Sequence, residues 1–348
     1  MDLLAKIKGI KYKPFLCRNL SVFDFNNLEK GINSFVSFIL KVNEEDKIAI
    51  SWWVSAKRTR SYPYARVYDT LGFSGKKVTI IPIVKDEGAE GDRDFLQWDT
   101  VSLMSLLGIY VIIAYYSEAE ANKRYKNKIT NQRFDIDFLK DQIKSLLSYQ
   151  SDALHWNLSQ IDNAGQIGKK ALEAYNRISK KLGIEMHFRK SAEERINELL
   201  KGKEKFMNLS RSLAEKAQRR ESLTVQPKEN LSGTKAIITI QNYLGGLYYF
   251  TVDEIEINGD EIFLIEGKHS KTKGLPSLED IKDGLLKMIL FTNLSSLETD
   301  GKDYKPLAAL KLTVEGGFEE SNLSLSQKEV LNLLRKEAEV NNFRLILK

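Results

Sequence analysis

The chain has 348 residues and a mass of 39.8 kDa, with 42% hydrophobic and 10% aromatic residues, enough to bury two or three compact cores. That excludes a disordered tail or a disulfide-stapled miniprotein. Fifty-three Lys and Arg stand against 47 Asp and Glu, and the resulting +6 permits a polyanionic partner without requiring one. A single cysteine, Cys17, leaves no internal disulfide or cysteine-rich zinc site, and His155, His187 and His269 do not make a histidine cage. A metal in this chain is therefore held by oxygen.

Met1 to Ile10 has neither the apolar run nor the cleavage site of a secretory signal. The longest apolar stretch, Val101 to Tyr116, is broken by Ser102, Ser105 and Gly108 and falls short of the ~20 residues a bilayer crossing needs. It reads as a buried helix followed by a buried strand, in a cytoplasmic protein that does not engage a membrane. Strands are predicted at Ile48 to Val54, Val78 to Val84 and Ile109 to Tyr116, with a helix over Asp94 to Leu107, so residues 1–130 form an N-terminal α/β region. Asp92 or Asp94 is expected to cap that helix.

Apolar residues then recur at spacings of three and four without proline, predicting a helical connector over 131–222 that breaks at Asn163-Ala-Gly and is capped at Gly183. Residues 223–348 return to mixed structure. Strands are predicted at Ala236 to Tyr243, Leu247 to Ile257, Glu261 to Glu266 and Leu307 to Val314, with helices at Leu278 to Thr292 and Ser326 to Asn341.

Asn258-Gly259 is a strong hairpin signal. With the turn there, Asp253 faces Leu264; with the turn at Gly259-Asp260, Asp253 faces Glu266. In both registers Asp253, Glu266 and Lys268 share one sheet face, because side chains alternate with period two. A three-residue loop would place Glu254 and Glu256 there instead. Two carboxylates and an ammonium so close need a compensating cation, and Mg²⁺ suits Asp253, Glu266 and the Gly267 carbonyl, since it binds through one or two carboxylates, waters and a substrate phosphate. Lys268 beside it would orient or deprotonate a water, or stabilise charge on the phosphate.

Asp253 together with Glu266-Gly267-Lys268 resembles the active-site signature of the PD-(D/E)XK nuclease superfamily, with Val252 where the family often has Pro. The polar stretch from Glu266 to Ser277 and the helix after it resemble what type II restriction endonucleases carry at that place. The resemblance implies a mixed-sheet, restriction-endonuclease-like core over 223–348. It also implies Mg²⁺-dependent hydrolysis of double-stranded DNA by a homodimer, with no small-molecule cofactor apart from the metal, and an acid from the preceding helix. Glu221 is the candidate for that acid, with Glu215 and Glu229 as alternatives. A repair or junction nuclease of the same superfamily and a non-catalytic DNA-binding protein are the rival readings.

Nucleic acid has three candidate contacts. Lys57, Arg58, Arg60 and Arg66 fall between Val54 and Arg66 with Tyr62 and Tyr64 and no acid, which suits a DNA arm or a solvated basic loop equally. Lys201 to Glu221 holds seven Lys or Arg against three Glu and reads as a phosphate-tracking helix or an exposed face. His269, Lys271 and Lys273 lie just beyond the proposed site, where phosphate contact is most expected.

Overall fold

A computed structural model describes residues 1–57, 63–187, 189–200, 234–242 and 247–348. They are α/β with mixed sheets, and they group into two bodies: Met1–Arg18 with the described residues from Thr234 onward, and the described residues from Asn19 to Leu200. The division differs from the three successive segments expected from sequence. The first strand, β1 (Asp2–Ile7), joins the C-terminal sheet, parallel to residues 237–242 and antiparallel to residues 294–298.

The N-terminal body contains β2 (Val22–Asp24), α1 (Leu28–Ser34), β3 (Ser37–Lys41), β4 (Lys47–Trp52), α2 (Pro63–Tyr68), β5 (Lys77–Pro82), β6 (Val84–Asp86) and β7 (Arg93–Phe95). After these come α3 (Trp98–Leu106), β8 (Ile109–Ala114), β9 (Tyr116–Ala121), β10 (Ile129–Phe134), α4 (Ile136–Ser148), α5 (Ala153–Leu182) and α6 (Arg189–Leu200). Its main sheet runs β2-β3-β4-β5-β8, antiparallel only between β3 and β4. Strand β8 closes one edge, and α5 covers its exposed backbone groups. Asn157 Oδ1 accepts from Val111 N–H at 2.6 Å, Trp156 Nε1 donates to the Val111 carbonyl at 2.7 Å, and Gln160 Oε1 accepts from Ile113 N–H at 3.1 Å. Helix α5 therefore belongs to this body rather than to a connector, and it protects a sheet edge that would otherwise be open to pairing.

Nor does α5 break at Asn163-Ala-Gly. It runs unbroken to Gly183, whose φ of 64° ends it in the left-handed region as expected. Nearby Gly168 serves close packing, because a Cβ there would meet the Ile196 side chain on α6 at 3.0 Å. The expected aspartate cap is also absent. Helix α3 starts after Gln97 with no side-chain cap, while Asp94 lies in β7 and accepts from Ser55 Oγ at 2.6 Å. A buried hydroxyl donor has claimed that carboxylate.

In the C-terminal body, β11 (Thr234–Asn242), β12 (Leu247–Asn258) and β13 (Glu261–Ser270) form an antiparallel meander. Helix α7 (Leu278–Phe291) and strand β14 (Leu294–Thr299) follow, and β15 (Lys302–Val314) returns parallel to β13. Helix α8 (Leu325–Val340) then leads to β16 (Phe343–Leu347), parallel to β15. The start of β15 also pairs with β14, which neighbours β1, so the pairings close a circuit through six strands. Strand β13 lies between β12 and β15, and Ile262, Leu264, Ile265 and Glu266 are all buried, as in sheets covered on both faces.

Helix α7 packs on β13 and β15. Ser277 caps it by accepting from Asp280 N–H at 3.1 Å, and Pro276 precedes the cap. Its approach is close at Gly284, where a Cβ would come within 2.9 Å of Leu310 Cδ1 and 3.2 Å of Lys268 Cε. Replacing Gly284 with Val should cost about 1–3 kcal/mol through overpacking. Urea unfolding of the full chain checks this, and a variant as stable as the wild type would show that α7 has room to move.

Candidate active site on the β12–β13 hairpin

The hairpin turns at Gly259-Asp260, one residue later than Asn258-Gly259, because Asn258 already pairs with Glu261. Gly259 takes a φ of 66°, which its missing Cβ allows. In this register Glu254 pairs with Ile265, so Asp253 and Glu266 stand opposite each other. The expected shared face forms. Between Val252 and Ile255, β12 also carries an extra residue relative to β11, so Asp253 sits in a β-bulge.

Each side chain has a specific set of partners. Asp253 Oδ2 accepts from Gly267 N–H at 2.9 Å. Glu266, only 2% exposed, has an ammonium on each oxygen: Lys268 Nζ at 3.0 Å from Oε1 and Lys287 Nζ at 2.6 Å from Oε2. Lys287 donates also to the Thr251 carbonyl at 3.0 Å, and Lys268 to Asp283 Oδ2 at 3.3 Å. Burial alone would raise the carboxyl of Glu266, yet the two lysines overcome it and hold Glu266 below the usual range. Burial and the Glu266 charge push Asp253 from 3.8 up to about 7, so its protonated form donates a hydrogen bond to Glu266. Burial opposes the charge on Lys268, but the neighbouring carboxylates prevail and raise its pKa.

Asp283 and Lys287 were not singled out from sequence. They lie four residues apart on α7 and so on one helix face, in a run otherwise rich in buried Ile, Leu, Met and Phe. An i,i+4 acid and lysine on the helix that follows an E-x-K strand was the available signal. The other acids of the hairpin lie elsewhere. Glu254 points to the opposite sheet face, where its carboxylate pairs with Lys311 at 2.5 Å, and Glu256 is exposed. Glu221, Glu215 and Glu229 fall outside the described residues, as does the Lys201 to Glu221 segment.

The candidate DNA contacts divide in the same way. Past the site, His269 is exposed with Nδ1 at 2.9 Å from Thr313 Oγ1, and Lys271 and Lys273 are exposed beyond the end of β13. In the basic loop, Arg58, Arg60 and Tyr62 lie outside the described residues, and the Lys57 ammonium is 3.9 Å from Asp94. Tyr64 and Arg66 do not suit a DNA arm. Tyr64 is 7% exposed with its ring edge-on to Trp53, and Arg66 lies 4.7 Å over the Trp52 ring while donating to the Trp52 carbonyl at 2.8 Å. They begin a helix whose aromatic and cationic groups pack onto β4 and the residue after it.

With a folded value near 7 against 3.8, Asp253 takes up a proton on folding between those two pH values. Stability from this group is complete below 3.8 and is lost as pH rises through about 7. In metal-free buffer, Asp253→Asn should therefore gain in melting temperature relative to wild type as pH is raised from 5 to about 8. Parallel melting curves across that range would contradict the arrangement.

Comparison with protein-family models, with curated proteins and with solved structures finds no match to this chain.

Proposed function

We propose that the chain is a Mg²⁺-dependent endonuclease that hydrolyses phosphodiester bonds of double-stranded DNA, specifically a type II, site-specific restriction enzyme of the PD-(D/E)XK kind. The observation that carries this reading is the convergence of Asp253, Glu266 and Lys268 on one face of β12–β13, with Lys268 Nζ 3.0 Å from Glu266. Strand order adds support. Asp253 on the second strand of the meander, Glu266-Gly267-Lys268 on the third and a helix after it follow in the order the resemblance implies. The working form would be a cytoplasmic homodimer.

The donor set fits a hard dication. Asp253, partly buried, stands beside the buried carboxylate of Glu266, and burial together with the Glu266 charge raises the Asp253 carboxyl, a cost that a bound dication would relieve. Although no three acids, histidines or cysteines among the described residues are placed to hold a metal together, Mg²⁺ needs only one or two carboxylates with waters and phosphate. Asp253 and Glu266 would hold it, with the Gly267 carbonyl as a third oxygen. When bound, the metal supplies Lewis-acid assistance and lowers the pKa of a coordinated water. Lys268, kept as an ammonium by Glu266 and Asp283, is then a donor and not a base. Its role is to orient the attacking oxygen and to stabilise charge on the phosphate in the transition state.

Incubating the purified full chain with a long duplex DNA, with and without Mg²⁺, tests this. Wild type with metal should give discrete fragments, Glu266→Ala none, and Lys268→Ala a rate about 10²–10³-fold lower. A smear would replace restriction with non-specific cleavage, and cutting of branched DNA alone would favour a junction nuclease. No cleavage of any of these substrates would overturn the enzyme reading.

A further inference from the structure

Lys287 is the group that a minimal acid, acid and lysine site does not require. Its side chain is 14% exposed, and its ammonium bridges Glu266 Oε2 at 2.6 Å and the Thr251 carbonyl at 3.0 Å. It thus joins β12 to β13 on the oxygen of Glu266 that Lys268 does not use. Around it, Asp253, Glu266 and Asp283 supply three carboxylates against the two ammoniums of Lys268 and Lys287. Adding one dication to the fully ionised cluster leaves a single excess positive charge. One phosphodiester carries the charge that balances it. Without Lys287, the dication alone would bring the cluster to neutrality, and nothing would be left for the substrate to balance.

We propose that Lys287 is a positioning residue and a fixed counter-charge that holds down the metal affinity of the DNA-free protein and ties metal uptake to the arrival of a phosphodiester. This rests on the metal-dependent reading above. Metal and DNA then strengthen one another's binding by the same factor, because linkage between two sites is reciprocal. The bridge to Thr251 lets one side chain do this without disturbing the hairpin, since the ammonium is held by a backbone carbonyl as well as by Glu266.

The test is Mn²⁺ binding to the full chain without DNA, followed by electron paramagnetic resonance, in wild type, Lys287→Met, Lys287→Arg, Asp283→Asn and Glu266→Gln. Lys287→Met should bind Mn²⁺ about tenfold more tightly, from loss of one nearby positive charge, and Lys287→Arg should stay close to wild type. Asp283→Asn should bind more weakly, which gives the opposite sign from the same helix and keeps the test decisive if Lys287→Met does not fold. Anisotropy of a labelled duplex with and without Ca²⁺ supplies the second readout: the metal-induced gain in DNA affinity should shrink in Lys287→Met. A general loss of stability would weaken metal binding in every variant and could not produce these opposed shifts. If wild type binds Mn²⁺ at a site that Glu266→Gln removes, yet Lys287→Met binds no more tightly, the counter-charge role is overturned and the metal reading stands. If wild type has no Glu266-dependent Mn²⁺ binding and no Ca²⁺-dependent gain in DNA affinity, the metal reading falls and this inference with it.

Discussion

A carboxylate buried in a central strand is stable only if its charge is answered, and Glu266 is answered on both oxygens. Much of the C-terminal body is arranged around that requirement. Lys268 reaches Glu266 from two residues along β13, while Lys287 reaches it from α7, so a helix must lie directly on the strand. Gly284 makes the approach possible, because a side chain there would meet Lys268 and Leu310. Asp283 holds the far side of Lys268 from the next turn of the same helix. Loss of any one partner leaves an uncompensated buried charge rather than one missing contact, which is the costly outcome for an interior ion pair.

The same sheet carries a second buried pair on its other face, Glu254 with Lys311. Successive residues of β12, Asp253 and Glu254, therefore send carboxylates to opposite faces, each answered differently. Glu254 has a close lysine, and the arrangement reads as structural. Asp253 has no lysine within ion-pair distance among the described contacts, and burial and the Glu266 charge raise its carboxyl instead. The contrast sets the proposed catalytic face apart from the structural one. One carboxylate is saturated, whereas the other retains an unmet demand for positive charge, and the bulge at Asp253 sets it beside Gly267.

The hairpin was legible in sequence because side-chain parity in a two-residue turn is insensitive to a one-position shift. Moving the turn from Asn258-Gly259 to Gly259-Asp260 changed which residues face each other and left Asp253, Glu266 and Lys268 together. The C-cap of α5 was legible for a similar local reason, since Gly183 acts within one turn of chain. What escaped was tertiary. Asn163-Ala-Gly looks like a helix breaker until Ala164 and Gly165 are buried in the packing of α5. Asp94 looks like a cap until Ser55 donates to it, and Tyr64 and Arg66 look like a DNA arm until the tryptophans of β4 and the next residue take them. Nothing in the first seven residues tells which sheet β1 will join.

The positive excess of the chain also takes a different meaning once its partners are known. In the N-terminal body, many of the cations are committed to that body's own acids and aromatics: Lys85 and Lys128 to Glu87, Arg133 to Glu118 and Glu120, Arg66 to Trp52. Lys271 and Lys273 are different. They stand exposed just past the end of β13, a few residues beyond Lys268, where a backbone phosphate placed at the Asp253–Glu266 face would continue. Local placement of a few lysines beside an acid pair, more than the sum of +6, is the feature on which the proposed nucleic-acid substrate rests.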